Sequence, residues 1–204
     1  MKQLNLEKLL NMQKDLDTRI IKEHGLKGQD LYPNTVLALQ VEIAELANEA
    51  RFFKHWSHDQ KPRTSVSLPM KPPLRGMRIV NRVLEEYVDC LHFYLSIAIQ
   101  KGWQEALYLH PESLISIKKQ GLEGGLTASF NAMNYMLLKS YMEVKPVEKI
   151  EKEFGESTQQ FYFRTAWFLF ISIGIVGFEF TLEQIEQAYF DKNKVNHERQ
   201  SGGY

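Results

Sequence analysis

The chain is poor in cysteine: Cys90 is alone among 204 residues. That excludes an internal disulfide framework and any zinc site built on thiolates, and it fits a reducing compartment. An excess of one charge is also missing. Lys plus Arg number 25 and Asp plus Glu number 25, so the formal net charge is zero. This sets aside a nucleic-acid binder working by bulk charge and a polybasic membrane surface. The N-terminus, MKQLNLEKLL, scatters charges among its apolar residues and has no signal-peptide core. The most apolar stretch, Ala166 to Phe178, is shorter than the roughly 20 residues a membrane span needs. It reads as a core helix or a subunit interface. No segment alternates polar and apolar residues for long enough to be a strand, and no internal repeat is visible. There is no P-loop, no Gly-x-Ser-x-Gly elbow and no dinucleotide fingerprint. Histidines 24, 55, 58, 92, 110 and 197 show no metal spacing. These absences lead us to expect a cytoplasmic protein with no nucleic-acid or membrane partner.

What is present is a helical period. Hydrophobic residues make up 44% and charged residues 25%, a globular composition. A chain this long can bury roughly 70% of its unfolded surface. We read residues 1–204 as a single all-α domain. The first helix runs from Leu6 to about His24, with Leu6, Leu9, Leu10, Leu16, Ile20 and Ile21 on one side. A second, capped by Asn34 or Thr35, runs to about Trp56. Ser57 to Pro73, with four prolines, reads as a loop. A third helix spans about Gly76 to Lys101. Short helical pieces follow to Gly125, then helices over Leu126–Met142, Val147–Phe154 and Ser157–Phe178. Thr181 and Gln184 form a capping-box pattern that opens a last helix.

The second helix carries the sharpest chemical signal. On a wheel of about 100° per residue, Gln40, Arg51 and Lys54 form a polar face. Opposite them lie Glu42, Glu45 and Glu49, with Trp56. Leu39, Ile43, Leu46 and Phe53 flank them on one side and Val41 and Phe52 on the other. The carboxylates therefore point where a core belongs. Burying them unpaired costs several kcal/mol each. Either a positive group meets them, or they pair with Arg or Lys in a structural network, or the face lines a solvent channel. The third helix supplies Glu86 and Asp89, three apart on one face with Arg82 and Phe93. Alone, that face could simply be solvated. Antiparallel packing of the two helices would bring Glu42, Glu45, Glu86 and Asp89 together. Four carboxylates with no His or Cys make a hard, all-oxygen site suited to Mg²⁺ or Mn²⁺. Metal-assisted phosphate hydrolysis is the chemistry this implies.

Two further features are out of place. Gln13 falls inside the apolar stripe of the first helix, with Asp17 one turn later. It is either a core amide bonded to backbone or water, or an amide that reads a base edge. In the last helix, Lys192, Asn196 and Arg199 recur at i, i+4, i+7. They suit phosphate oxygens and sugar hydroxyls, or form a solvated face.

Taken in order, Gln13, Glu42-Ile-Ala-Glu45, Phe53-Lys-His-Trp56, Glu86-Tyr-Val-Asp89, the run Lys192-Asn-Lys-Val-Asn196-His-Glu-Arg199-Gln200 and Gly203-Tyr204 resemble the dimeric all-α dUTPases. These belong to the wider all-α nucleotide pyrophosphohydrolases. The resemblance covers nearly the whole chain. It implies a homodimeric enzyme of helical-bundle fold that hydrolyses dUTP to dUMP and pyrophosphate. It assigns two or more Mg²⁺ to Glu42, Glu45, Glu86 and Asp89, with Glu42 or Glu45 also helping to deprotonate water. Gln13 would read uracil, Trp56 would line the base pocket, and Phe93 (or Tyr94) would lie under the base. Asn196 would meet the sugar, and Lys192 and Arg199 the phosphates. The gap between the acidic pairs is longer than is usual in the wider superfamily, and the chain has Leu16 and Asp17 where the family often has an Asn shortly after the Gln. Two other activities remain open: a broader pyrophosphatase acting on dCTP or other dNTPs, and a non-catalytic helical dimer that binds protein.

Overall fold

The computed structural model describes residues 4–70 and 75–202. The Gly203-Tyr204 end of the motif and part of the proline-rich segment lie outside them. Among the described residues there are eight α-helices, two short strands, a 3₁₀ turn and a π turn. The all-α expectation holds.

Helix α1 (Leu6–Glu23) starts at Asn5, whose side chain accepts the Lys8 N–H at 3.2 Å. Its buried stripe is Leu6, Leu9, Gln13 and Leu16. Helix α2 (Tyr32–Ala50) begins earlier than expected, with Pro33 in its first turn. Asp30 accepts the Tyr32 N–H at 3.1 Å, whereas the Thr35 hydroxyl donates back to Leu31 O at 2.8 Å. Its end is also earlier, at Ala50 and not Trp56. Arg51 turns left-handed at φ 62°, and its guanidinium holds Asp59 O at 2.9 and 2.7 Å. Phe53 and Trp56 therefore leave the helix face that a continuous wheel gives them.

A strand pair reaches from the segment expected to be loop into the start of the expected third helix. Strand β1 (Val66–Pro69) pairs antiparallel with β2 (Met77–Val80), Val66 opposite Val80. Four residues per strand are too few for an alternation to register. The hairpin also delays the next helix. Helix α3 (Arg82–Lys101) starts at Asn81, whose side chain accepts the Leu84 N–H at 3.0 Å. It does not start at Gly76.

Helix α3 is the centre of the molecule: twelve of its residues are buried, and α1, α2 and α8 pack around it. Helices α4 (Pro111–Gln120), α5 (Gly125–Met142) and α6 (Glu148–Phe154) lead to α7 (Thr158–Ser172), which lies along α5. A π turn at 173–177 prolongs α7. The combined span Thr158–Gly177 is long and apolar enough to cross a membrane by length and composition, longer than the apolar stretch suggested. Phe163, Ala166, Trp167, Phe170 and Ile171 are at most 1% exposed. Of the two readings of this stretch, core helix is the one the packing supports. Helix α8 (Leu182–Ser201) opens with the expected capping box, Thr181 and Gln184 exchanging hydrogen bonds at 3.1 and 2.9 Å.

Close packing of the π turn onto α3 yields a first prediction. A Cβ on Gly174 would sit 2.4 Å from the Tyr87 hydroxyl oxygen. Tyr87 is fully buried, stacks on Phe170 at 4.2 Å and donates to Phe170 O at 3.2 Å. It has nowhere to go. Gly174→Ala should cost about 1–3 kcal/mol by overpacking, read as a lower melting temperature. An unchanged melting temperature would mean that Tyr87 can move aside.

Candidate functional site

Helices α2 and α3 run side by side and bring their acidic residues together as the spacing predicted. One carboxylate oxygen from each of Glu42, Glu86 and Asp89 lies within 4.8 Å of the others. Glu86 is 6% exposed; Glu42 and Asp89 are half-buried. Glu45 is exposed and stands outside this trio, although its charge reaches Glu42 and Glu86. Glu49 belongs elsewhere, paired with Arg63 at 3.3 Å. Three converging carboxylates with no imidazole or thiolate are a fit donor set for a hard divalent cation.

The cluster is not free of cations, as a bare four-carboxylate site would be. Lys192 Nζ stands 2.5 Å from Asp89 Oδ2, where the resemblance assigns it to phosphates. Arg82 contacts Glu86 at 3.1 Å and Glu85 at 2.6 Å. These two do not balance the acid. Burial, then the charges of Asp89, Glu45 and Glu86, push the Glu42 carboxyl up to about 7. Glu86 is raised by burial and by Asp89, with Arg82 opposing. Asp89 is raised by burial despite Lys192. Helix α2 has put carboxylates where they are short of positive partners.

Two of the trio, Glu42 and Asp89, line a cavity of about 190 Å³ between α1, α2, α3 and α8, with Glu86 beside them. Glu42, Asp89 and Lys192 line one part of it, and Gln13, Asp17, His92 and Ser96 another. Leu16, Ile20 and Phe93 supply apolar wall, and Asn196 and Arg199 enter from α8. Most of the expected residues therefore meet in one place. Of the two aromatic candidates, Phe93 faces the cavity, whereas Tyr94 is fully buried against Phe170 and Trp167. Trp56 is not brought to the cavity within this chain. It is 66% exposed and packs edge-on against Phe53 and His55, because α2 stops six residues before it.

Gln13 is buried, at 3% exposure, in a polar network that helical spacing alone does not reveal. His92, Ser96 and Tyr189 surround it, with Asp17. A signal is nonetheless present: His92 and Ser96 sit one turn apart on α3, continuing the Asp89 face, matching Gln13 and Asp17 one turn apart on α1.

With this geometry, the comparison with known families gives one answer. The family model described as dUTPase matches residues 5–69 and 77–204. No curated protein sequence matches the chain.

Proposed function

The chain belongs to the all-α dUTPase family, and from that premise we propose that it converts dUTP to dUMP and pyrophosphate with Mg²⁺, Mn²⁺ being the substitute. The observation that carries the proposal is the trio Glu42, Glu86 and Asp89, two of which line a cavity shared with Gln13, Asp17 and Asn196 and with apolar Leu16, Ile20 and Phe93. Glu42, Glu86 and Asp89, with Glu45 beside them, would hold the metal, which supplies Lewis acidity toward triphosphate oxygens and water.

The reaction adds water across the α–β phosphoanhydride. The water oxygen bonds to the α-phosphorus, and the bridging oxygen leaves with pyrophosphate. A carboxylate of α2, Glu42 or Glu45, takes the water's proton. Lys192 and Arg199, on one face of α8, meet phosphate charge as it develops. Asn196, between them in sequence, meets the sugar. Phe93, Leu16 and Ile20 cover the base and exclude water from that end.

A homodimer is part of the same proposal. Leu37 and Val41, one turn apart on α2, are 62% and 50% exposed and support a partner surface close to the carboxylates. A buried, unpaired Cys90 supports a cytoplasmic setting.

The test is a panel of dUTP, dCTP, dTTP and dATP with Mg²⁺, scored by pyrophosphate. dUTP should be hydrolysed fastest, and chelator should stop release. Release of inorganic phosphate in place of pyrophosphate, or chelator-resistant turnover, would count against the proposal. A specific observation keeps a broader dNTP pyrophosphatase as the second reading: the amide of Gln13 is already fully occupied by the protein.

A further inference from the structure

A primary amide offers two N–H donors and two acceptor lone pairs. Gln13 Nε2 donates to Asp17 Oδ1 at 2.8 Å and to Ser96 Oγ at 2.9 Å. Its Oε1 lies 2.7 Å from His92 Nδ1 and 2.9 Å from the Tyr189 hydroxyl. All four positions are filled from inside the protein, so nothing is left with which Gln13 could read a base.

The polarity of this network follows from His92. Burial is the main reason its imidazole stays neutral, with a pKa lowered to about 3. A neutral imidazole carries one N–H. Placed on Nδ1, that proton is donated to Gln13 Oε1, and the buried, unpartnered Nε2 is then a bare lone pair and not a stranded donor. With Oε1 facing two donors, Nε2 of Gln13 must face Asp17 and Ser96. Ser96, accepting from Gln13, turns its own proton to Asp17, at 2.8 and 3.0 Å. The hydrogen bonds therefore run one way and end on a carboxylate. Donors converging on a carboxylate favour its ionised form, against the burial that raises Asp17. A carboxylate has about four acceptor sites, so two donors leave it capacity, and Asp17 lines the cavity beside Leu16 and Ile20.

We propose that Asp17 is the base-reading residue of this chain, accepting the imide N3–H of uracil, and that Gln13 and Ser96 are positioning residues that fix its carboxylate. The proposal rests on the pyrophosphohydrolase reading given above. Its chemistry is that of one hydrogen. Uracil and thymine present a donor at N3, whereas cytosine presents a lone pair there. Against a carboxylate the first pairs and the second is repelled. Sites built on polar matching reject a mismatched partner far more strongly than apolar pockets reject a missing methylene.

The experiment measures kcat/KM for dUTP, dCTP and dTTP in the wild type, Asp17→Asn, Ser96→Ala and Gln13→Leu. Binding of dUMP and dCMP is measured in parallel, to give a readout independent of turnover. An asparagine amide can present either an oxygen to uracil or an N–H to cytosine. Asp17→Asn should therefore shrink the dUTP/dCTP ratio about 100-fold or more, a polar-mismatch effect, and the dUMP/dCMP binding ratio should shrink with it. The dUTP/dTTP ratio should stay put, because both bases carry N3–H. Ser96→Ala and Gln13→Leu should move the dUTP/dCTP ratio the same way by less. If Asp17→Asn does not fold, the Ser96→Ala ratio decides. Equal losses on all three nucleotides would make Asp17 structural and overturn the proposal. So would a wild type that prefers dCTP, or a Gln13→Leu protein that loses the ratio while Asp17→Asn keeps it. Those outcomes leave pyrophosphate release intact. A wild type that releases none from any nucleotide overturns the enzyme reading instead, and dUMP against dCMP binding then judges Asp17 alone.

Discussion

Glu42→Gln should slow pyrophosphate release from dUTP by about 10²–10⁴-fold, the range spanned by removal of a positioned acid–base group, with helix content unchanged. Glu42 belongs to the trio whose oxygens converge within 4.8 Å, so the substitution removes a ligand charge as well as a proton acceptor. The amide keeps the shape of the side chain and its half-buried position on α2. A loss of activity would then be a loss of chemistry and not of fold. Glu49→Gln is the control. Glu49 stands two turns further along the same helix, outside the converging trio and paired with Arg63, and should change the rate by no more than a few-fold. Circular dichroism and a pyrophosphate assay with saturating Mg²⁺ are sufficient. If Glu42→Gln retained full rate, or if both variants lost it equally, the trio would not be the catalytic centre.

The position of Glu42 is legible in the sequence because it depends on a regular helix. Residues 42, 86 and 89 lie well inside α2 and α3, where 100° per residue is a sound ruler. Wrong positions arise where the ruler is carried past a helix end. Trp56 is misplaced by a wheel that lets α2 continue, because Arg51 in the left-handed region stops it. The cue is weak in sequence, since αL ends favour glycine or asparagine and here an arginine is held by Asp59. The hairpin at 66–80 escapes for the opposite reason. Its strands are too short to show a period, and Met77 and Ile79 on β2 are exposed, at 58% and 76%, so no buried face marks it. The cations on the cluster are a third gap. Arg82 is visible on the Glu86 face, but the contact of Lys192 with Asp89 joins residues 103 apart in sequence. Helical spacing within one element carries no information about such a pair. The same holds for Gln13: its odd position in an apolar stripe and Asp17 one turn later are legible, while the contacts it makes with His92, Ser96 and Tyr189 on α3 and α8 are not.

The carboxylates should also leave their mark on stability. Glu42 has no ion-pair partner among the described residues, unlike Asp89 and Glu86. Its carboxyl, raised from 4.5 to about 7, prefers the proton more in the folded chain than in the unfolded one. Ionisation therefore works against the fold. Below pH 4.5 the group is protonated in both states and costs nothing. Between 4.5 and about 7 the unfolded chain releases the proton while the folded chain holds it, so stability falls with rising pH. Above 7 the penalty is complete. For a half-exposed group it amounts to about 1–2 kcal/mol once discounted for solvent screening. In chelator, Glu42→Gln should thus melt close to wild type near pH 4.5 and several degrees higher at pH 8. Mg²⁺ should reverse the order. A ligand that binds only the folded state at a hundred times its Kd adds about 2.7 kcal/mol, about 5–10 °C for a chain of this size, and the variant has lost part of its site. Asp89→Asn should gain less in chelator than Glu42→Gln does, since burial raises Asp89 too but the Lys192 ammonium beside it offsets part of that cost. Melting curves at the two pH values, with chelator and with Mg²⁺, separate the cases. A Glu42→Gln protein that melts below wild type at pH 8 in chelator, with Mg²⁺ shifting neither protein, would mean that Glu42 is held by structural partners and that no cation binds there.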